Sequence, residues 1–161
     1  MYELRPETKD DWWEVEALYD LSFAPGREAL SSYRLRDGVK TVEALNRVAR
    51  DRDGILAGAI RYWPVRVGEH AVLLLGPVAV HPTRQGEGLG GALIRDSLAS
   101  AHESGWDRVM LVGDASYYAK FGFERLTGVL MPPPTNPDRV LGLDLVQGGW
   151  QGVVGKVTRC A

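Results

Sequence analysis

Between residues 78 and 93 the chain reads VAVHPTRQGEGLGGAL, and no other segment limits the possible folds so sharply. An apolar strand runs into a turn, then into glycines, then into a helix. Glycine lets a backbone approach a ligand closely and adopt positive φ. Inside a helix it costs about 1 kcal/mol relative to alanine, so four glycines in residues 86–91 need a reason. Unpaired N–H groups at a helix start, reinforced by the helix dipole, bind phosphate oxygens. The segment therefore points to an anion site for a phosphorylated cofactor. Composition alone leaves a plain glycine-rich turn as an equal alternative, and the density of glycines favours the site.

The flanking chain gives the frame. Residues 2–5 read as a first strand, and Thr8 with Asp11 forms a capping box for a helix whose buried stripe is Trp12, Val15, Leu18 and Tyr19. One of the adjacent Trp12 and Trp13 is expected inside and the other outside. A second short helix is expected over residues 28–36. Residues 46–51 and 55–67 read as strands joined by a turn at Arg52, Asp53 and Gly54. Residues 71–80 form a strand apolar enough for both faces to be buried. Gly76-Pro77 interrupts that strand, and proline lacks the N–H a ladder needs, so a bulge or splayed edge is expected there. Residues 88–104 follow as a helix stopped by Gly105, then a strand at 108–113 and a short helix at 116–120. Later strands are expected at 123–126, 140–145 and 150–157, with a proline-rich loop at 131–137. The order predicts a mixed α/β fold, largely antiparallel, with at least one parallel crossover.

Gly86-Glu87-Gly88-Leu89-Gly90-Gly91 also spells G-x-G-x-x-G, the dinucleotide fingerprint, and Asp114 ends the next strand, near where that fold places its ribose-binding acid. In that fold, however, the glycines follow the strand directly, whereas residues 81–85 intervene here. Only one βαβ unit is present, and no G-K-[ST] follows to make a P-loop. Gln85-x-x-Gly88-x-Gly90 matches the Q/R-x-x-G-x-G/A signature of the GNAT superfamily of acetyl-CoA-dependent N-acyltransferases, and Val78-Ala79-Val80-His81-Pro82 resembles its cofactor strand and exit. Tyr118-x-x-x-Gly122-Phe123 resembles the family's Y-x-x-x-G-F at the expected distance. The resemblance spans essentially the whole chain. It implies a single domain over residues 1–161, with a splayed central strand in a mixed sheet flanked by helices.

What the resemblance implies for the site is specific. Val78, Ala79 and Val80 would pair with the pantetheine arm of acetyl-CoA. Amides of Gln85, Gly86, Glu87, Gly88, Leu89, Gly90 and Gly91 would hold its pyrophosphate, with Arg84 adding charge and Asp114, Tyr118 and Phe121 adding contacts. Tyr118 is the expected general acid for the departing thiolate, since tyrosine carries its proton at neutral pH. Backbone N–H groups of the splayed strand, Val78 above all, would stabilise the tetrahedral oxyanion. Where many relatives carry a strand glutamate, this chain has Leu73-Leu74-Leu75-Gly76-Pro77. The base then falls to Glu28, Asp114, His81 or a water relay. The expected reaction moves an acetyl or other acyl group to a primary amine, on a small molecule or a peptide, in a ternary complex. The acceptor would enter between residues 25–36 and 131–137. The alternative is a non-catalytic acyl-CoA-binding or regulatory module of the same fold.

Bulk properties narrow the setting. The net charge of -2 argues against nucleic acid as a partner. The apolar run at 71–80 is about half a membrane span, and the first residues lack the apolar core of a signal peptide. The single cysteine, Cys160, suits a reducing, cytoplasmic location. His70, His81 and His102 are too scattered for a zinc site, so no metal is expected. Homodimers are common among relatives.

Overall fold

In the computed structural model, which describes residues 1–23 and 31–160, the chain folds as an open, mostly antiparallel sheet with helices on its faces. Strands β1 (Tyr2–Pro6), β2 (Arg47–Asp51), β3 (Leu56–Val67) and β4 (His70–Val80) lie side by side, each antiparallel to the next. A parallel crossover leads from β4 through helix α3 (Leu89–Glu103) to β5 (Arg108–Val112). Beyond β5 lie β8 (Val140–Asp144) and β6 (Glu124–Arg125), again antiparallel. Two short pieces, β7 (Val129–Leu130) and β9 (Gly155–Arg159), pair with each other, and β9 also pairs with the far end of β3.

The apolar pattern explains the layering. Leu89, Leu93, Ile94, Leu98 and Ala101 recur along one side of α3 and pack on the sheet through Ala49, Ile60, Tyr62, Leu73 and Leu111. Helix α1 (Trp12–Ser22) covers β2–β4 on another face with Val15, Leu18 and Tyr19. A third cluster, including Val65, Val72, Leu74, Met110 and Val157, fills the end of the sheet near β9.

The expected break in β4 lies where proline chemistry puts it. Ile60 pairs with Val78 and Tyr62 with Leu75, so Arg61 alone stands opposite both Gly76 and Pro77. That is a β-bulge. Beyond it β4 and β5 part: their pairing covers only Leu73–Val109 and Leu74–Met110. The bulge is braced from below. The Tyr19 hydroxyl donates to the Pro77 carbonyl at 3.1 Å, and the buried Arg61 guanidinium lies 5.3 Å from the Tyr19 ring. Arg61 holds Glu7 through two hydrogen bonds of 3.0 and 2.9 Å and also pairs with Glu16.

Three expectations need correction. Trp12 is not in the buried stripe: it opens α1, is 45% exposed, and meets the 78%-exposed Trp13 edge to face, so both indoles lie outward. Residues 147–152 form turns, and the last strand starts only at Gly155. The helix expected over 28–36 is helical at α2 (Ser31–Arg34) among the described residues, and Glu28 lies outside them. No helix among the described residues is long and apolar enough to cross a membrane.

Candidate functional site

Two cavities open where β4 and β5 diverge. The first, about 550 Å³, runs along Val78–Val80, the glycine turn and the start of α3, and is closed on the other side by Tyr117, Tyr118, Lys120 and Phe121. The second, about 150 Å³, lies on the other side of the bulge among Phe23, Tyr33, Arg36, Leu75, Gly76, Pro77 and Leu111. Val78 and Tyr118 line both.

The glycine turn is shaped for an anion. Pro82–Arg84 forms a single 3-10 turn capped by His81, whose Nδ1 lies 3.2 Å from the Thr83 N–H and 2.8 Å from its hydroxyl. Gly88 then caps α3 at φ 77°, a left-handed conformation with a steric cost for any residue bearing a Cβ. The first intrahelical bond at this end runs from the Ala92 N–H to the Gly88 carbonyl at 3.1 Å. The amides before Ala92 therefore have no partner within the helix. Gly86, Gly88, Gly90 and Gly91 all border the large cavity, as do Arg84 and Gln85.

Several side chains of the expected site have partners of their own. The Leu89 side chain is buried in the α3 core, so only its amide faces the turn. Glu87 accepts a hydrogen bond from the Tyr2 hydroxyl at 2.9 Å, outside the cavity. Arg84 reaches Asp51 at 2.5 Å and donates to the Tyr2 hydroxyl at 3.2 Å, so its charge anchors the turn to β1 and β2. Those contacts hold the Asp51 carboxyl below its usual range, and the Tyr2 and Asp51 contacts raise Arg84. Asp114 is exposed and caps helix α4 (Ala115–Tyr118), accepting from the Ser116 N–H at 3.0 Å and hydroxyl at 2.9 Å. The Ser116 hydroxyl bond lowers its pKa, and it borders neither cavity.

Tyr118 is placed by its neighbours. Its ring packs edge to face on Tyr117 and Phe123, at centroid distances of 4.9 and 5.8 Å. Gly113 at the end of β5 leaves it room: a Cβ there would stand 2.6 Å from the Tyr118 ring. Burial first, then the neighbouring Tyr117, pushes the Tyr118 hydroxyl up to about 12. No carboxylate among the described residues lines the small cavity. The loop at 131–137 touches α2, where Arg34 donates to the Pro133 carbonyl at 2.8 Å, but contributes nothing to that lining.

Sequence reasoning missed Arg95 and Lys120 on the large cavity and Tyr33 and Arg36 on the small one. Arg95 falls one helical turn after Gly91, a spacing that would have placed it on the glycines' face. Lys120 sits inside the tyrosine motif itself. Tyr33 and Arg36 carry no local signal; their places follow from how α2 docks on the sheet. Among the described residues, no group of His, Cys, Asp and Glu could hold a metal ion.

Comparison with known proteins points one way. Residues 45–125 match the acetyltransferase (GNAT) domain family. The uncharacterised N-acetyltransferase YhbS of Escherichia coli is 35% identical over 124 residues, covering 75% of this chain and 72% of that protein. The structure of a GNAT family N-acetyltransferase (YhbS) from Escherichia coli in complex with CoA superposes with TM-score 0.85 at 28% identity, covering 99% of this chain and 89% of that one. A GNAT family acetyltransferase from Brucella melitensis in complex with acetyl-CoA gives TM-score 0.74 at 29% identity, covering 100% and 97%.

Proposed function

The chain belongs to the GNAT acetyltransferase family, and from that premise we propose that residues 1–161 work as one N-acyltransferase unit that moves an acetyl group from acetyl-CoA to a primary amine by direct attack in a ternary complex. The observation that carries this reading is the meeting of the two cavities, among the described residues, at Val78 and Tyr118. A cofactor in the large cavity, with its pyrophosphate on the Gln85–Gly91 amides, would extend its pantetheine arm along Val78–Val80. Its thioester would then reach the bulge, where an amine from the small cavity can attack. Attack at the carbonyl carbon gives a tetrahedral oxyanion, which the N–H groups freed by the divergence of β4 from β5 can stabilise. Collapse breaks the C–S bond. The Tyr118 hydroxyl, which makes no hydrogen bond to a described residue, delivers its proton to the thiolate.

The amine must arrive unprotonated. No carboxylate among the described residues lines the small cavity, Asp114 is occupied as a cap, and His81 with its turn. Glu28 remains a base to be tested, beside a water relay. A lysine-like amine costs roughly 4–5 kcal/mol to deprotonate at neutral pH and an α-amine only about 1 kcal/mol, which favours a weakly basic acceptor. The lack of a lining carboxylate also supports the second reading, a non-catalytic acyl-CoA-binding module. Calorimetric titration with acetyl-CoA, followed by thiol release across a panel of amines, separates the two. Micromolar binding with amine-dependent thiol release supports the enzyme. Binding without turnover on any amine supports the module, and no binding defeats both.

A further inference from the structure

Among the described residues, three cationic side chains border the large cavity: Arg84, Arg95 and Lys120. Arg84 is engaged by Asp51. Arg95 and Lys120 are exposed and have no carboxylate within ion-pair distance among the described residues. They are nonetheless held together. The Arg95 guanidinium lies 5.0 Å from the Phe121 ring centroid, and the Lys120 ammonium lies 5.7 Å from the same ring and 4.1 Å from that of Tyr117. One aromatic platform thus gathers two positive charges from α3 and from the turn after α4. Arg95 is seven residues beyond Gly88, so roughly 10 Å along the helix axis from the phosphate-binding amides.

We infer that Arg95 and Lys120, seated on Phe121, form a site for a phosphate monoester, the 3′-phosphate of the coenzyme A ribose. The assignment rests on the cofactor reading above and deepens it. A ligand that carried only a pyrophosphate would satisfy the start of α3 and leave both cations unmatched. Coenzyme A carries a further phosphate, set off from the pyrophosphate by the ribose, and a monoester approaches two negative charges near neutral pH. Two cations one helical stretch away match that charge and that order. Arginine supplies planar, paired donors for phosphate oxygens and lysine a compact charge.

The test titrates the wild-type chain and the Arg95→Gln/Lys120→Gln double variant with coenzyme A and with 3′-dephospho-coenzyme A. Both side chains are exposed, so the fold should tolerate the change. The wild type should prefer coenzyme A by roughly ten- to a hundredfold. In the double variant that preference should fall to within about threefold, with the affinity for 3′-dephospho-coenzyme A unchanged. Equal affinities in the wild type would overturn the assignment while leaving the cofactor reading intact. A parallel loss for both ligands in the variant would also overturn it, because the cations would then serve the pyrophosphate. If the wild type binds neither ligand, the cofactor reading itself fails.

Discussion

Tyr118 is packed against aromatic rings, and that packing governs its proton. A hydroxyl raised to about 12 stays protonated throughout the range in which an amine deprotonates. The rate should therefore climb with pH as the acceptor loses its proton, then level off, with no fall assignable to Tyr118 below roughly pH 11. A pH profile of kcat/KM that drops between pH 8 and 10 on a substrate of low pKa would remove Tyr118 from the acid role. Tyr118→Phe should lower amine-dependent thiol release by roughly a hundredfold or more while leaving acetyl-CoA affinity nearly unchanged. Gly113 tests the placement of the same ring. Its alanine variant puts a methyl group where the Tyr118 ring lies, 2.6 Å away. Overpacking of this kind costs about 1–3 kcal/mol, readable as a lower urea midpoint, and turnover should fall further than stability does.

At the scale of elements, the bulge in β4 and the turn into α3 divide the work. The bulge is braced by the bond from Tyr19 to the Pro77 carbonyl. Tyr19→Phe removes it and should cost about 0.5–1.5 kcal/mol of stability, with a loss of kcat larger than any change in the KM for acetyl-CoA. Unchanged kcat in a variant of lowered midpoint would show that the bond supports the fold and not the alignment of the thioester. The glycine turn, the tyrosine motif and the break at Pro77 were legible in the sequence because each is local: backbone chemistry over a few residues dictates it. Trp12 misled because its spacing fits the helical stripe, yet it falls at the first turn, where the chain has not yet settled against the sheet. Asp114 drew attention because a carboxylate near a cofactor motif invites a functional role, and in the structure its side chain caps the short helix at Ala115. Arg36 and Tyr33 lie in the segment expected beside the acceptor, but nothing local singled them out. They reach the small cavity by tertiary docking, which leaves no periodicity behind.

Over the whole molecule, charge pairs tie α1 and the glycine turn to the same end of β2. Arg50 grips Asp11 and Glu14 at 2.8 Å each, and the next residue, Asp51, grips Arg84. Burial pushes Asp11 upward, but its bonds to Arg50 and Thr8 outweigh it and hold it low, and Arg50 lowers Glu14. With Asp51 also lowered, the folded chain binds fewer protons than the unfolded one in acid. The stability from these pairs is full above the ordinary carboxylate range and is lost as pH falls below roughly 4. Urea midpoints measured from pH 7 down to pH 3 should decline along that window in the wild type. They should decline less in Asp51→Asn, whose midpoint at pH 7 should already be lower.

Among the described residues the two cavities share only Val78 and Tyr118, and the walls of the smaller one begin with Phe23, Tyr33 and Arg36, before any residue of the larger in the chain. On the proposed reading, part of the acceptor's wall, residues 23–36, is thus written ahead of every residue that grips the donor. That stretch can drift, or be transplanted from a relative, without retuning the grip. A graft of the N-terminal segment should change which amines react and leave donor affinity where it was. A catalyst divided in this way can acquire new customers while keeping its supplier.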